Sequence, residues 1–423
     1  MVIHVVNKGE LLWQIADYYQ IDINEIIKVN ELSSQNLLLV GQALLIPITD
    51  ILYTVSYGDT LWSITNRFGV PLQSLLSLNR MINTNLIYPG VVLTIPQRPK
   101  PGIEVNAYTY VFGINDIPVL EDTIDYLTYL TPFSYLVRED GRLISINDYK
   151  AIQISNSNNV MPMMAIANFS YNNRGEVVAH AVLNSTEIIE TLLYNIINIM
   201  KDKGYRGLYV DFENILPEDS EAYNNFLQMA ASILHKEGLF ITTALAPKYN
   251  EEQKGLLYEA HDYVAHGKIV DFIILMTCER GWRAGSPKAV SPINKIRRVL
   301  DYAASLIPKD KIFMGFQIYA KDWVIPHIEG QEAESFSMQE AMNRAYRYRV
   351  RIQYDEVSQS PFFHYTDEQG RTHEVWFEDA RSAQAKFDLV KEYGLRGITY
   401  CALGYPFPQN WYLLKDNFKI IKE

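Results

Sequence analysis

The chain has 423 residues, long enough for two or three domains with a sizeable core. Its 48% hydrophobic and 21% charged residues are those of a soluble globular protein, and a net charge of −11 argues against nucleic acid or an anionic membrane as partner. Two cysteines, Cys278 and Cys401, exclude a disulfide framework, and no apolar run approaches the roughly 20 residues that span a bilayer. No basic-then-apolar leader of the Sec type follows Met1. The eight histidines show no zinc spacing, His261 and His266 being five apart, so neither a metal nor a cofactor is expected.

The first hundred residues repeat with an offset of 49 (58 − 9), which aligns Gly9 with Gly58, Trp13 with Trp62, Asn30 with Asn79, and Ile46-Pro47 with Ile95-Pro96. A fixed period of this size marks duplicated small modules. Each copy reads strand, helix, helix, strand. Short strands fall at residues 4–6 and 53–55, and first helices at 11–19 and 60–68. Second helices fall at 24–29 and 72–78, and closing strands at 44–46 and 92–95. The spacing of Trp13 with Ile15, and of Trp62 with Ile64, favours packing of both tryptophans into the module cores. The run Val55-Ser56-Tyr57-Gly58-Asp59-Thr60-Leu61-Trp62-Ser63-Ile64 resembles the LysM pattern almost completely; the first copy departs only in Glu10 and Leu11. The resemblance implies binding of N-acetylglucosamine glycans around Gly9 in copy one and Gly58, Asp59, Thr60, Asn85 and Ile87 in copy two. Two linked weak binders raise effective affinity if one glycan spans both. The expected limits are 1–48 and 51–97, followed by a semi-rigid Pro-rich linker at 98–102.

From Ile103 to Glu423, strands and helices alternate. Strand patterns fall at 105–112, 129–137, 160–168, 207–212, 239–246, 270–277, 311–319 and 397–403, with helical patterns such as 186–203, 220–237, 292–306 and 380–393 between them. This predicts an α/β fold, a (β/α)₈ barrel. Residues 323–377 interrupt it with strand-like runs at 348–354, 362–365 and 373–377, the last two joined by an Asp367-Glu368-Gln369-Gly370 turn. They read as a small α+β insertion walling a cleft. In Leu208-Tyr209-Val210-Asp211-Phe212-Glu213-Asn214, alternation puts Asp211 and Glu213 on one face with Cα atoms roughly 6.5–7 Å apart, at the end of a strand where such barrels keep their catalytic residues. Paired carboxylates on an apolar strand are costly unless used, and pairing pushes their pKa values apart, as acetal cleavage requires.

The domain resembles glycoside hydrolase family 18, the chitinase-like family. The matching runs are Asp211-Phe212-Glu213, Thr243-Ala244-Leu245-Ala246-Pro247-Lys248, Val270-Asp271-Phe272 with Leu275-Met276-Thr277, His373–Arg381, and Pro406-Phe407-Pro408-Gln409-Asn410-Trp411. With two LysM modules it is similar to the spore cortex-lytic N-acetylglucosaminidases of bacilli. The resemblance implies retaining catalysis in which the substrate's own 2-acetamido oxygen attacks the anomeric carbon. Glu213 aligns with the general acid/base and Asp211 with the carboxylate that orients the acetamido N–H. It further implies a peptidoglycan partner and a location in spore coat, cortex or cell wall, reached without a visible leader, as by synthesis in the mother cell. A monomer is expected.

The sequence departs from the family in two places. Arg206 and Tyr209 replace the first two aspartates of D-x-x-D-x-D-x-E, altering the relay behind Asp211. Met276-Thr277-Cys278-Glu279 puts Cys278 where a tyrosine hydroxyl usually bonds the acetamido carbonyl, and Cys401 stands where a tryptophan usually floors the −1 sugar. Losing that hydroxyl removes ~1.5–3 kcal/mol, on the order of 10–100-fold in rate. Tyr209, Met276, Cys278, Glu279, Trp282, Tyr319 and Cys401 are the expected substrate contacts; Tyr110, Phe133, Tyr135, Trp323, Trp376 and Trp411 are further candidate sugar platforms. Two readings stay open: a cortex hydrolase, or a weakened or inactive wall-binding or coat protein on the same barrel.

Overall fold

A computed structural model of the chain describes residues 1–32, 37–48, 51–81, 87–96, 100–110, 117–169, 175–277 and 285–422. Module 1 runs β1 (Val2–Val5), α1 (Leu12–Tyr19), α2 (Ile23–Asn30) and β2 (Ala43–Ile46). Module 2 repeats the order with β3 (Ile51–Thr54), α3 (Leu61–Phe68), α4 (Leu72–Leu78) and β4 (Val92–Ile95). In each, the two strands pair antiparallel. At the starts of α2 and α3 the N-cap side chain, Asp22 and Thr60, satisfies an open backbone donor. Thr60 Oγ1 accepts from the Ser63 N–H at 3.0 Å while Ser63 Oγ accepts from the Thr60 N–H at 2.9 Å. Trp13 and Trp62 do not enter the cores: they are 60% and 71% exposed. Leu12 with Ile15, and Leu61 with Ile64, form the inward stripe instead, which turns the tryptophans outward by one helical position.

The remainder is the barrel. In chain order its elements are β5 (Gly102–Thr109), α5 (Ile117–Thr123), β6 (Tyr129–Pro132), the hairpin β7 (Tyr135–Val137) and β8 (Leu143–Ile144), α6 (Tyr149–Ser157), β9 (Met161–Ala167), α7 (Glu176–Leu183) and α8 (Thr186–Lys203). Then come β10 (Gly207–Asp211), α9 (Ser220–Lys236), β11 (Phe240–Leu245), α10 (Tyr263–Ile269), β12 (Phe272–Leu275), α11 (Ile293–Leu306) and β13 (Ile312–Gln317). Among the described residues, eight parallel strands close in the order β10-β11-β12-β13, then Gly397–Cys401, then β5-β6-β9, with β9 returning to β10. The expected strand at 129–137 is two strands. β6 pairs with β5, and after Pro132, which has no N–H to donate, the chain crosses so that β7 pairs with β9.

Between β13 and α13 (Ala380–Tyr393) lies the insertion: β14 (Ala320–Ile325), β15 (Glu334–Phe336), α12 (Met338–Tyr348), β16 (Gln353–Asp355), β17 (Ser360–Thr366) and β18 (Thr372–Trp376). The chain ends with β19 (Gly397–Cys401), α14 (Pro408–Asn417) and β20 (Lys419–Ile420). The β17–β18 hairpin turns at Asp367–Gly370 as the sequence suggests. The strand expected at 348–354 does not form over its full length. Ser337 caps α12, whose Met338, Ala341 and Ala345 are buried on one helical face, and only Gln353–Asp355 is extended.

Two apolar layers hold the barrel. Leu208, Val210 and Phe212 pack outward against the helices, and Tyr209 packs inward with Tyr108, Tyr129, Met163, Phe272, Met276 and Phe313. Module 1 is part of this body. Its Val29, Leu39, Ala43 and Leu45 belong to the same buried cluster as the outer layer of the barrel. The Ile352 N–H donates to the Val40 carbonyl at 3.0 Å, Arg381 to the Gly41 carbonyl at 3.1 Å, and Gln42 Nε2 to the Tyr346 hydroxyl at 2.7 Å. Module 2 has a core of its own, built on Val55, Leu61, Ile64, Leu75, Leu93 and Ile95. Its counterparts of the docked residues, Leu78, Tyr88, Val91 and Val92, are exposed.

Candidate active site at the mouth of the barrel

Asp211 is the last residue of β10 and is fully buried; Glu213 follows two positions on and is half-buried. Both share a face with Tyr209, which points into the barrel, so the pair projects into the mouth at the C-terminal ends of the strands. Tyr209 replaces an expected aspartate with a ring packed 5.5 Å from that of Tyr108, and its hydroxyl lies 3.9 Å from Met276 Sδ. The inner relay is thus an apolar plug rather than a chain of carboxylates. Tyr223, fully buried behind the site, hydrogen-bonds Thr243 at 2.9 Å; burial pushes its phenol upward, and the Asp211 charge adds to that.

The pairing ladders stop short of Glu213, with Val210 opposite Thr243 on β11 and Asp211 opposite Ala167 on β9. Side chains take over there. Asn168, 3% exposed, accepts from the Glu213 N–H and donates to the Glu213 carbonyl, both at 2.8 Å, and donates to the Gly175 carbonyl at 3.0 Å. Gly175 has φ +94°, and a Cβ there would lie 2.7 Å from Asn168 Nδ2, so the position requires glycine.

Met276, Tyr209 and Cys401 come together in the inner cluster, Tyr209 and Met276 buried and Cys401 half-buried. Tyr319 follows the end of β13, its ring 5.8 Å from that of Tyr405. Cys278, Glu279 and Trp282 lie outside the described residues, as does Asn85 in module 2. Phe133 bridges Tyr108, Tyr110 and Phe169 at 5.6, 5.2 and 6.5 Å, forming an aromatic wall that ends in Tyr110, 45% exposed. Beside it a cavity of about 400 Å³ is lined by Arg138, Asp140, Ile144, Asn168 and Phe169. Three candidate platforms are structural instead. Trp323 is buried and donates to the Gly285 carbonyl, Trp411 packs on Tyr400 at 4.8 Å, and Tyr135 hydrogen-bonds Asp148. Trp376 stacks on Phe362 at 4.6 Å.

In module 2, Asp59 accepts from the Tyr53 hydroxyl and the Ser56 N–H, which holds its carboxyl below the usual range, and Thr60 caps α3. Gly9 and Gly58 have φ near +87° with open space around them. Ile87 packs against the module core.

Residues 110–405 match glycosyl hydrolases family 18. The chain belongs to that family. Residues 4–47 and 53–96 match the LysM domain. The cortical fragment-lytic enzyme of Bacillus subtilis (strain 168) is 49% identical over 428 aligned positions, covering 100% of this chain and 99% of the relative; that of Bacillus anthracis is 44% identical, covering 99% and 98%. The crystal structure of the Bacillus megaterium QM B1551 spore cortex-lytic enzyme SleL superposes with a TM-score of 0.91 at 43% identity, covering 100% of this chain and 99% of that one.

Sequence reasoning missed Asn168 and the buried His261 and Lys248. Asn168 left only a faint signal, a polar residue ending the apolar run 160–167. Lys248 was visible as the end of a matching run and His261 only as one of eight histidines, but the burial of neither was.

Proposed function

We propose that this chain hydrolyses N-acetylglucosaminyl bonds of spore cortex peptidoglycan, with Glu213 as general acid/base and Asp211 orienting the substrate's acetamido group. The observation that carries the reading is the Asp211/Glu213 pair on one face at the barrel mouth, with the Glu213 peptide clamped at both its N–H and its carbonyl by Asn168. Cortical fragment-lytic relatives that cover nearly the whole chain support the substrate.

In this reading, Glu213 protonates the leaving oxygen while the acetamido oxygen attacks C1 from within the substrate. Asp211 accepts from the acetamido N–H and stabilises the oxazolinium charge; Glu213 then deprotonates the incoming water. Half-burial of Glu213 fits a carboxyl that cycles between protonated and charged forms in contact with sugar. Cys401 leaves the −1 floor less aromatic than in the family, and the exposed Tyr110 ring, backed by the half-buried Phe133, is positioned to hold a neighbouring sugar.

We place the glycan grip around Gly58, Asp59, Thr60, Asn85 and Ile87 of module 2 and around Gly9 of module 1, where space stays open although the separate Leu39–Gln42 segment packs on the barrel. Cys278, Glu279, Trp282 and Tyr319 remain proposed contacts on the family resemblance. The proposed division is 1–48, 51–97, a linker at 98–102 and the hydrolase from 103 onward, acting as a monomer in the spore coat or cortex.

The test is release of soluble fragments from spore cortex by the full chain, read by mass spectrometry. Fragments ending in reducing N-acetylglucosamine, lost in Glu213→Gln while pelleting onto cortex persists, are expected. Equal release by Glu213→Gln would overturn the assignment, and no release by either would favour a binding protein on a family 18 barrel.

A further inference from the structure

The strand that carries the two carboxylates is held beyond its end from both sides, and only one of the two holders lies in the cleft. On the β9 side it is Asn168. On the β11 side it is His261, 1% exposed, whose Nδ1 accepts from the Ala246 N–H at 2.9 Å and whose Nε2 lies 3.1 Å from the Phe212 carbonyl. Ala246 can only donate here, so Nδ1 is bare and Nε2 carries the proton given to Phe212. Phe212 is the residue between Asp211 and Glu213.

We propose that His261 is a positioning residue for the reaction: it continues the β10–β11 ladder by one side-chain rung and thereby fixes the peptide from which both Asp211 and Glu213 project. This rests on the reading of those two carboxylates given above.

The rung is mounted on a rigid post. The Ala246 carbonyl accepts from the Tyr263 hydroxyl at 2.6 Å, and that hydroxyl accepts from the Lys248 N–H at 3.1 Å. On the opposite face, the Phe212 ring is stacked between Tyr223 at 5.9 Å and Phe226 at 5.7 Å. The carbonyl is therefore held by the imidazole and the side chain by two rings, which restrains the 211–213 segment at its backbone and its side chain. The imidazole stays in the one form able to bridge. Burial lowers its pKa to about 4 and the Lys248 ammonium, 3.5 Å from the His261 carbonyl, adds to that, so the ring is neutral at neutral pH. The neighbouring His266, its ring 6.2 Å away, is held neutral by its own burial, with His261 and Lys248 adding to that. A histidine used only as filler would not need both nitrogens matched to two backbone groups of different strands.

Misplacement of catalytic groups by about 1 Å can cost on the order of 100-fold in rate. The experiment compares full-chain His261→Leu, His261→Asn and His261→Gln with wild type, measuring kcat and KM on soluble cortex fragments well below each variant's Tm, and pelleting onto insoluble cortex. Leucine removes both bonds; asparagine is polar but too short to span both groups; glutamine offers one acceptor and one donor at nearly the right reach. We expect kcat to fall about 10–100-fold in Leu and Asn with pelleting unchanged, and to recover to within about threefold of wild type in Gln. Should Leu fail to fold, Asn carries the comparison. A folded Leu or Asn variant that loses only thermal stability and keeps wild-type kcat overturns the proposal, as does a Gln variant no better than Leu. Glu213→Gln measured alongside separates the two claims. If it stays active, the carboxylate reading fails, whereas if it is dead and His261→Leu is fast, only the positioning role fails.

Discussion

Replacing Gly41 by alanine should undock module 1 from the barrel, and the same change at Gly90 in module 2 supplies the control. The two glycines are equivalent in the repeat and have φ of +84° and +91°. An alanine in that left-handed region costs roughly 1–2 kcal/mol at either place. The surroundings differ. A Cβ on Gly41 would sit 1.9 Å from the Ile352 carbonyl oxygen and 3.0 Å from its carbon, backbone atoms that cannot rotate away, whereas a Cβ on Gly90 meets nothing within 4 Å. The loop must therefore lift at Gly41. That forfeits the Ile352–Val40, Arg381–Gly41 and Gln42–Tyr346 hydrogen bonds, each worth about 0.5–1.5 kcal/mol net, and opens the contacts of Leu39, which is 6% exposed. The excess of Gly41→Ala over Gly90→Ala is expected to be about 2–4 kcal/mol, large against the stability of a single domain. Hydrogen exchange on the full chain reads it directly. The Ile352 amide should lose protection in Gly41→Ala and keep it in Gly90→Ala. Equal protection of Ile352 in both variants would show that module 1 is not held through this loop.

Two further outcomes follow from buried charge. Lys386 and Glu378 pair at 2.8 Å with side chains wholly buried, and Lys386→Met should destabilise by about 3–5 kcal/mol in urea melts, with Glu378→Gln/Lys386→Met recovering most of it; a single variant as stable as wild type would refute the pairing. His261 should make the protein acid-sensitive. Its folded pKa of about 4 lies below the unfolded value of 6.5, so the stability it contributes is complete above 6.5 and is lost as pH falls toward 4, by about 3 kcal/mol at most. The urea midpoint of wild type should drop further between pH 7 and 4.5 than that of His261→Gln, and parallel curves would contradict this.

The barrel was legible because its signals are local. Strand runs such as 207–212 and helices such as 186–203 carry their period in adjacent residues, and the Asp211/Glu213 alternation places two acids on one face without knowledge of anything distant. Where the reading failed, the deciding partner was far away in sequence. Trp13 and Trp62 share a helical spacing with core residues, but the inward stripe is set by which side the sheet covers, and that is Leu12 and Leu61. Residues 348–354 alternate well enough for a strand, yet Ser337 and the buried face of Met338, Ala341 and Ala345 carry a helix through to Tyr348.

The same distinction explains why the carboxylates were found and their supports were not. A catalytic acid must show itself in the strand that bears it. A residue that aims it acts through a backbone carbonyl or N–H and leaves its partner without any mark in sequence. Asn168 is 45 residues from Glu213 and His261 is 49 from Phe212, and neither bond involves the side chain of the residue it steers. The family resemblance points to the acid pair and to the aromatic floor. On the floor this chain has diverged, with Cys401 in place of a tryptophan and Tyr209 plugging the relay. What it has is a strand end braced on both flanks. If positioning of Glu213 rather than stacking of the −1 sugar carries most of the rate, loss of the floor is tolerable and loss of either brace is not. The His261 and Asn168 rungs would then weigh more in this chain's rate than the rings around the −1 sugar.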